Sequence, residues 1–293
     1  MKQYPVLYQQ LSNGETIAYR KAGSKGQTLL LLHGNMSSSV FWQTTMEKLE
    51  SEISIVAPDL RGFGDSTYKQ SFDSLLELAT DLKEFVEKLD LEKFIVLGWS
   101  TGGGVALELA TLLPNRVEKV ILLDSVGVNG FTIYKKDEMG QMMFDQIITT
   151  KAEIANDPVQ VLPILNAYET KNKEMLKMIW NATIYIKAQP NEELYDAYLD
   201  AMLKQRNLVD IDYSLVHFNM EENGEKISRF KEIKVPIVIM HGDEDLIVPY
   251  KEAKKMKEYF KDQAELITLK GVGHSVMTDN FELWLEQLRK AIF

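Results

Sequence analysis

The chain has 293 residues, of which 45% are hydrophobic and 26% are charged, and it contains no cysteine. This composition is typical of a globular protein with a large core, so disorder is not expected, and the formal net charge of −10 makes nucleic acid a poor partner. Without cysteine there is no disulfide, no thiolate metal ligand and no cysteine nucleophile.

The N-terminal residues 1–5 lack the basic-then-apolar pattern of a signal peptide, and no apolar run reaches membrane-spanning length. We therefore expect a cytoplasmic protein that does not insert into membranes. The segments 6–10 and 16–21 flank Ser12-Asn13-Gly14, and Asn-Gly readily supplies the positive φ angles of a tight turn. The sequence predicts an antiparallel hairpin at this point.

Short, continuously apolar runs follow the hairpin, and such runs suit parallel strands that are covered on both faces. They occupy residues 29–32, 53–57, 94–97, 120–123 and 237–240. Helical patterns lie between them, most clearly after Ser74, where Ser74 and Glu77 fit a capping box. One apolar face of this helix comprises Leu75, Leu78, Ala79, Leu82, Val86 and Leu89. The alternation predicts an α/β fold with a mostly parallel, doubly wound sheet.

The alternation of strands and helices stops after Asp124, and the pattern is helical from about residue 128 to 230. We interpret residues 128–230 as an inserted helical cap, and residues 1–127 and 231–293 as the core. Within the cap, Asp157 and Asn191 are predicted to begin helices, because each offers a side-chain acceptor to free backbone N–H groups. After the cap, a strand is expected near 265–269 and a final helix from about Asp279.

The strongest chemical signal is Gly98-Trp99-Ser100-Thr101-Gly102, which joins an apolar strand to a helical stretch. A G-x-S-x-G sequence in this context predicts a nucleophile elbow with an exposed, strained serine. A phosphate-cradling turn is the alternative, but neither a G-x-G-x-x-G pattern nor a P-loop Gly-Lys-Ser/Thr is present. Ser100 is therefore the predicted nucleophile.

A serine hydroxyl needs a neighbouring base, and the chain has four histidines. His33 and His241 each end an apolar strand, where we expect them to organise turns. His217 lies in the proposed cap, where a packed or hydrogen-bonded ring is expected. His274 follows the last strand in a glycine-containing loop and can reach the carboxyl edge of the sheet, so it is the predicted base.

The base in turn needs a carboxylate that fixes its tautomer and stabilises its charged form. Asp124, Asp243 and Asp245 all follow predicted strands and qualify by position. The loop after the penultimate strand holds three acids, Asp243, Glu244 and Asp245, so the sequence favours this loop without naming the residue.

With Ser, Asp and His motifs in this order, the chain resembles the α/β-hydrolase superfamily over nearly its whole length. The resemblance implies the α/β-hydrolase fold and assigns the acid to Asp245, in the pattern His-Gly-x-x-Asp-x-x-Val-Pro. It also implies an oxyanion hole formed by the backbone N–H groups of Asn35 and Thr101, with Asn35 and Trp99 next to the substrate. Asp59 and Arg61 lie in another widespread family segment, and we expect them to be scaffold.

Epoxide hydrolases and haloalkane dehalogenases of this fold use aspartate at the elbow, so Ser100 disfavours those activities. The sequence Gly-Trp-Ser-Thr-Gly-Gly-Gly is more similar to the cofactor-free haloperoxidase, aryl esterase and lactonase group. This implies hydrolysis of a small-molecule carboxylic ester or lactone, without a metal or an organic cofactor. A ligand receptor of the same fold, with an intact triad and slow turnover, is the alternative.

Methionines are concentrated in the proposed cap, and flexible thioether side chains suit a lid over varied apolar groups. The alternative is that they form the ordinary core of the cap helices. The seven cap methionines are Met139, Met142, Met143, Met175, Met178, Met202 and Met220.

Overall fold

The computed structural model describes residues 2–222 and 225–293, apart from the side chain of Lys226. Its strands are β1 (Leu7–Gln10), β2 (Thr16–Ala22), β3 (Thr28–Leu32), β4 (Ser54–Pro58), β5 (Phe94–Trp99), β6 (Val117–Leu123), β7 (Tyr134–Lys136), β8 (Met142–Ile147), β9 (Glu221–Glu222), β10 (Glu225–Lys226), β11 (Ile237–Gly242) and β12 (Ala264–Leu269). Its helices are α1 (Gln43–Leu49), α2 (Leu75–Lys88), α3 (Thr101–Leu112), α4 (Lys151–Ala155), α5 (Leu162–Glu169), α6 (Lys173–Thr183), α7 (Glu192–Met202), α8 (Leu208–His217), α9 (Tyr250–Phe260), α10 (Val276–Asp279) and α11 (Phe281–Ile292).

Eight strands form one sheet in the order β1-β2-β4-β3-β5-β6-β11-β12. The pairs β1–β2 and β2–β4 are antiparallel, and the other neighbours are parallel. This confirms the predicted fold class, including the opening hairpin, in which Gly14 adopts a φ of 87°. The carboxyl ends of the parallel strands meet at one edge, which is where ligands bind in open α/β sheets.

Both faces of this sheet are buried, as the apolar runs predict. Along β3, Leu29 and Leu31 belong to one hydrophobic cluster, whereas Leu30 and Leu32 belong to another on the opposite face. All four side chains are fully buried, because successive residues of a strand point to opposite sides.

The start of α2 differs slightly from the predicted capping box. Ser74 is the N-cap residue, but its hydroxyl donates to the Glu77 carboxylate at 3.2 Å rather than accepting a backbone N–H. The same carboxylate accepts the N–H of Asp73 at 2.9 Å. The box is therefore shifted by one residue.

The segment 128–230, called the cap segment below, contains the five helices α4 to α8. It also contains the β7–β8 hairpin, which was not predicted from the sequence. None of its side chains is fully buried, so these strands lack the alternation of buried and exposed residues that marks a strand. Asn191 begins α7 as predicted, accepting the N–H of Leu194 at 3.0 Å. The prediction for Asp157 was wrong: its carboxylate accepts N–H groups from Val159 and Gln160 within a turn, and α5 begins only at Leu162.

Near the C-terminus, the last long helix begins at Phe281 rather than Asp279, because Asn280 caps it through the N–H of Leu283. Asp279 instead ends the short helix α10. Among the described residues, no helix is long and apolar enough to span a bilayer.

Candidate active site

Ser100 lies in the turn between β5 and α3, with a φ of 55° that is unusual for a residue with a side chain. The surrounding backbone holds this conformation: the Ser100 N–H donates to the Leu123 carbonyl at 2.9 Å, and its own carbonyl accepts the N–H of Gly103 at 2.9 Å. A Cβ atom at Gly98 would lie 2.1 Å from the Gly102 carbonyl oxygen. The geometry is that of the strand–turn–helix elbow expected from the sequence.

His274 and Asp245 form a direct pair behind this turn. The Asp245 Oδ2 atom lies 2.7 Å from Nδ1 of His274, and both side chains are buried. The other carboxylate oxygen accepts the N–H groups of Ile247 and Val248 at 2.7 and 2.9 Å. This arrangement places a proton on Nδ1 and leaves Nε2 of His274 as an available base.

Asp245 is held in its ionised form despite its burial. Burial alone would raise the pKa of this carboxyl, but His274 and His241 outweigh that effect by charge and hydrogen bonding. The result is a pKa below the ordinary value, so the carboxylate can stabilise a charged imidazole.

Asp124, the competing acid, points elsewhere. It follows β6 with a φ of 43°, and its Oδ1 accepts the N–H of Gly242 at 2.8 Å. Its Oδ2 has no hydrogen-bond partner in the described part of the chain. Burial raises the pKa of Asp124 to about 7, with the charge of Asp245 adding to the effect. Asp243 is also turned away, since it accepts the N–H of Gly271 at 2.7 Å.

His241 lies close to both buried acids. Its Nε2 lies 2.7 Å from the Val248 carbonyl oxygen and 3.4 Å from Oδ2 of Asp245. Among the described residues, one set of side chains is spaced closely enough to hold a metal ion. It consists of Asp124, His241 and Asp245, whose ligand atoms lie within 4.8 Å of one another. Hydrogen bonds to Val248 and Gly242 already engage two members of this group.

A cavity of about 520 Å³ opens over the elbow, and Ser100, His274, Gly34, Asn35 and Trp99 all line it. Its apolar lining is Met36, Phe131, Ile133, Met142, Val159, Ile164, Ile179, Trp180, Ile184, Leu208, Leu246 and Ile247. A larger depression of about 730 Å³ lies at the β12 edge of the sheet and contains none of the expected site residues. Of the seven cap methionines, only Met142 lines the cavity over the elbow, whereas Met202 and Met220 are fully buried in the core.

The two backbone donors expected to form an oxyanion hole lie beside Ser100. Thr101 is the first residue of α3, so its N–H is at the positive end of the helix. Within residues 2–222 and 225–293, no acceptor is described for the N–H of Asn35 or Thr101. Gly34 packs so closely that a Cβ there would lie 3.1 Å from Cβ of Ser100.

Two cap residues that the sequence analysis missed hold the Asn35 side chain. The Gln205 amide donates to Asn35 Oδ1 at 2.7 Å, and Asn35 Nδ2 donates to Oδ1 of Asp212 at 3.2 Å. Gln205 also accepts the N–H of Met36 at 3.0 Å. The cap segment therefore contacts the loop that carries one of the candidate oxyanion donors.

Trp99 lines the cavity, which is where a residue that contacts substrate is expected. It also stabilises the loop that carries His274. Its indole Nε1 donates to the main-chain carbonyl of His274 at 2.9 Å, and its side chain is almost fully buried.

The remaining histidines lie outside this arrangement. His33 approaches the Gly34 carbonyl through Nδ1 at 2.8 Å and accepts the Leu60 N–H through Nε2 at 3.0 Å. Burial lowers the pKa of His33, which favours the neutral ring that this pattern requires. His217 is exposed and lies 2.9 Å from the Tyr213 carbonyl through Nδ1.

Asp59 and Arg61 occupy scaffold positions. Asp59 accepts both the N–H and the hydroxyl of Ser39, at 2.8 and 2.6 Å. Arg61 makes a two-pronged ion pair with Asp81, with both contacts at 2.7 Å. Neither Asp59 nor Arg61 lines the cavity.

Comparison with known proteins matches this chain to one family. A family model described as alpha/beta hydrolase fold matches residues 27–281. Lipase 1 from Psychrobacter immobilis is 26% identical over 272 residues, covering 92% of this chain and 78% of the lipase. The soluble epoxide hydrolase from Corynebacterium sp. (strain C12) is 36% identical over 119 residues, 41% of each protein. Several curated relatives match in this partial way, and the chain spans only 36 to 41% of their length.

Among solved structures, an esterase from Exiguobacterium antarcticum superposes with a TM-score of 0.74 over 97% of both chains. The sequence identity is 23%, so this similarity concerns the fold.

Proposed function

The chain belongs to the alpha/beta hydrolase fold family, and from this premise we propose that it is a serine hydrolase acting on carboxylic esters or lactones. The observation that carries the proposal is the convergence on one cavity of Ser100, in its strained turn, and His274, paired with Asp245. These are the parts that acyl transfer requires: a nucleophile, a base, and an acid that orients the base.

In the proposed reaction, the Ser100 hydroxyl attacks the ester carbonyl while Nε2 of His274 accepts its proton. The N–H groups of Asn35 and Thr101 stabilise the oxyanion that forms. His274 then protonates the leaving alcohol, and Ser100 retains the acyl group. A water molecule, deprotonated by His274, attacks this acyl-enzyme, and collapse of the second intermediate releases the acid and regenerates the Ser100 hydroxyl.

Ester or lactone cleavage is favoured over epoxide opening, although a soluble epoxide hydrolase is among the relatives. The elbow position holds Ser100, whereas epoxide hydrolases of this fold carry aspartate there. Serine forms an acyl ester that water readily cleaves, but an alkyl ether formed by epoxide opening would leave the serine blocked.

The cavity lining supports an apolar, neutral substrate of small to medium size. Most of the lining residues are aliphatic or aromatic, and Asp212 is the only carboxyl among the described residues that line the cavity. A volume of about 520 Å³ falls in the range of small-molecule sites.

The proposal is tested with a fluorophosphonate probe followed by turnover of ethyl and aryl esters and lactones of increasing acyl length. We expect rapid labelling and turnover in the natural protein, and loss of both in Ser100→Ala. The matched control is Ser125→Ala, which replaces a buried serine next to the elbow that does not line the cavity.

Labelling that persists at the natural rate in Ser100→Ala would overturn the nucleophile assignment. Labelling of Ser100 without appreciable turnover of any ester or lactone would instead favour the receptor alternative.

A further inference from the structure

Two polar side chains of the cap segment line the cavity, and no step of the proposed reaction uses them. Gln160, from the turn before α5, and Asp212, from α8, both line the cavity in the cap segment. Polar side chains on the wall of a mainly apolar cavity carry a desolvation cost unless they meet hydrogen-bonding partners.

The amide of Gln160 is oriented by a buried lysine. Lys136 has a fully buried side chain, pairs with Asp157, and donates to Oε1 of Gln160 at 2.6 Å. An ammonium group can only donate, so the amide oxygen must face Lys136. The Nε2 group of Gln160 has no described hydrogen-bond acceptor among residues 2–222 and 225–293, and it is therefore an unused donor on the cavity wall.

Asp212 supplies the complementary acceptor. Its Oδ1 accepts from Asn35 Nδ2 at 3.2 Å, and this is its only hydrogen bond in the described part of the chain. No ion pair to Asp212 is found there either, which leaves Oδ2 as an unused acceptor. Burial, together with the charge of Asp157, raises the pKa of Asp212 to about 7.

We propose that Asp212 and Gln160 form a subsite that binds a hydroxyl group of the substrate, so that the protein prefers hydroxylated esters. This inference rests on the proposed esterase function and names its substrate class. A hydroxyl both donates and accepts, so it can bond to the Asp212 carboxyl and the Gln160 amide at once. An ammonium group lacks the acceptor that Gln160 needs, and an anion would be repelled by Asp212 when its carboxyl is ionised.

The subsite lies close to the reacting bond. Asp212 bonds directly to Asn35, whose backbone N–H is a candidate oxyanion donor, and Gly34 packs against Ser100. The hydroxyl should therefore lie only a few bonds from the ester carbonyl, rather than at the far end of a long chain.

The test measures binding separately from turnover. Trp99 and Trp180 line the cavity, so binding to a Ser100→Ala protein is followed by tryptophan fluorescence. The ligands are ethyl hexanoate, its 2-, 3- and 6-hydroxy derivatives, 6-aminohexanoate ethyl ester, and the 2-hydroxyethyl and propyl esters of hexanoic acid. Steady-state kinetics of the natural protein use the same compounds.

We expect at least one hydroxylated ester to bind about tenfold more tightly than its hydroxyl-free counterpart, the gain typical of a good hydrogen bond. Adding Asp212→Leu or Gln160→Met should reduce this Kd ratio to about one. Asp212→Asn is a milder second variant, which keeps an acceptor for Asn35 and should lower the ratio partially. The matched control is Thr183→Val, because the Thr183 hydroxyl lines the cavity but already donates to the Ile179 carbonyl at 2.7 Å.

Three results would overturn the subsite: ratios within twofold of one for all hydroxylated esters, a ratio that survives both Asp212→Leu and Gln160→Met, or tighter binding of the amino ester. Absence of turnover in the natural protein, with a hydroxyl preference still present in binding, would reject the esterase proposal and leave the subsite standing.

Discussion

The indole Nε1 of Trp99 donates a hydrogen bond of 2.9 Å to the main-chain carbonyl of His274. These residues are 175 positions apart, yet the bond joins the residue before the candidate nucleophile to the candidate base itself. Their rings lie 5.7 Å apart between centroids. Trp99 thus connects the two loops whose relative position sets the reach of His274 toward Ser100.

Trp99→Phe removes the hydrogen bond to the His274 carbonyl and should lower kcat by about tenfold. Without this bond the loop can shift by a fraction of an ångström, and a displaced imidazole transfers protons less efficiently. The rate of fluorophosphonate labelling should fall in parallel, while the KM for small esters changes less. Trp42→Phe is the matched control: Trp42 is fully buried, its Nε1 has no described partner, and it does not line the cavity. Equal losses of kcat in both variants would indicate a general packing defect.

Asp245→Asn should reduce kcat by about 10³- to 10⁴-fold, since the amide cannot stabilise the charged His274 and favours the wrong tautomer. Asp124→Asn should retain turnover within about threefold of the natural protein, because Asp124 bonds to Gly242 and not to His274. Burst kinetics with an aryl ester measure both effects. The acid assignment would be reversed if Asp124→Asn abolished turnover in a folded protein and Asp245→Asn did not.

The pKa of Asp124 also predicts how stability varies with pH. Burial raises this pKa from its ordinary value of 3.8 to about 7 in the folded protein. Between these values the folded state holds a proton that the unfolded state has lost, so this residue's contribution to stability falls as the pH rises from about 4 to about 7. The size of the effect is on the order of a few kcal/mol.

Asp124→Asn removes this titration. We therefore expect the free energy of unfolding of the variant to increase relative to that of the natural protein as the pH rises from 5 to 8, as measured by urea denaturation. A difference between the two proteins that stays constant over this range would contradict a raised pKa at Asp124.

The fold and the elbow could be predicted from sequence because their signals are local. Apolar runs report buried strands, and Gly98 and Gly102 flank Ser100 within five residues. The polar contacts around Asn35 could not be predicted, because Asp212 lies 177 positions away and reaches it only through the packing of α8. Asp157 shows a similar limit. Its Oδ1 accepts N–H groups within a turn, as a helix-capping carboxylate would, so the local sequence does not distinguish the turn from a helix start.

The tightness of the elbow predicts different outcomes for two neighbouring glycines of α3. A Cβ at Gly102 would lie 2.5 Å from the Leu32 carbonyl oxygen, whereas one at Gly104 would meet the Leu75 side chain at 2.6 Å. The backbone of β3 cannot move aside as a side chain can. Gly102→Ala should therefore lower the free energy of unfolding by about 3 kcal/mol and remove most of the activity. Gly104→Ala should cost less, and thermal unfolding with an esterase assay distinguishes the two. Equal losses of stability would show that β3 can move away from the elbow.

The charge of the acyl group should strongly affect the rate of hydrolysis. Esters of butanoic or hexanoic acid should be cleaved at least tenfold faster, in kcat/KM, than a singly charged monoester of succinic acid. An anionic acyl group would lose its hydration in a mainly apolar cavity whose one described carboxyl, Asp212, repels it when ionised, and the net charge of −10 slows its approach. The diester of succinic acid, which has a similar size without the charge, is the control and should be cleaved at a rate near that of the hexanoate. Raising the ionic strength should narrow the gap for the monoester, because salt screens the long-range part of the repulsion and leaves the desolvation cost unchanged. A clear preference for the charged monoester over both neutral esters would contradict an apolar substrate.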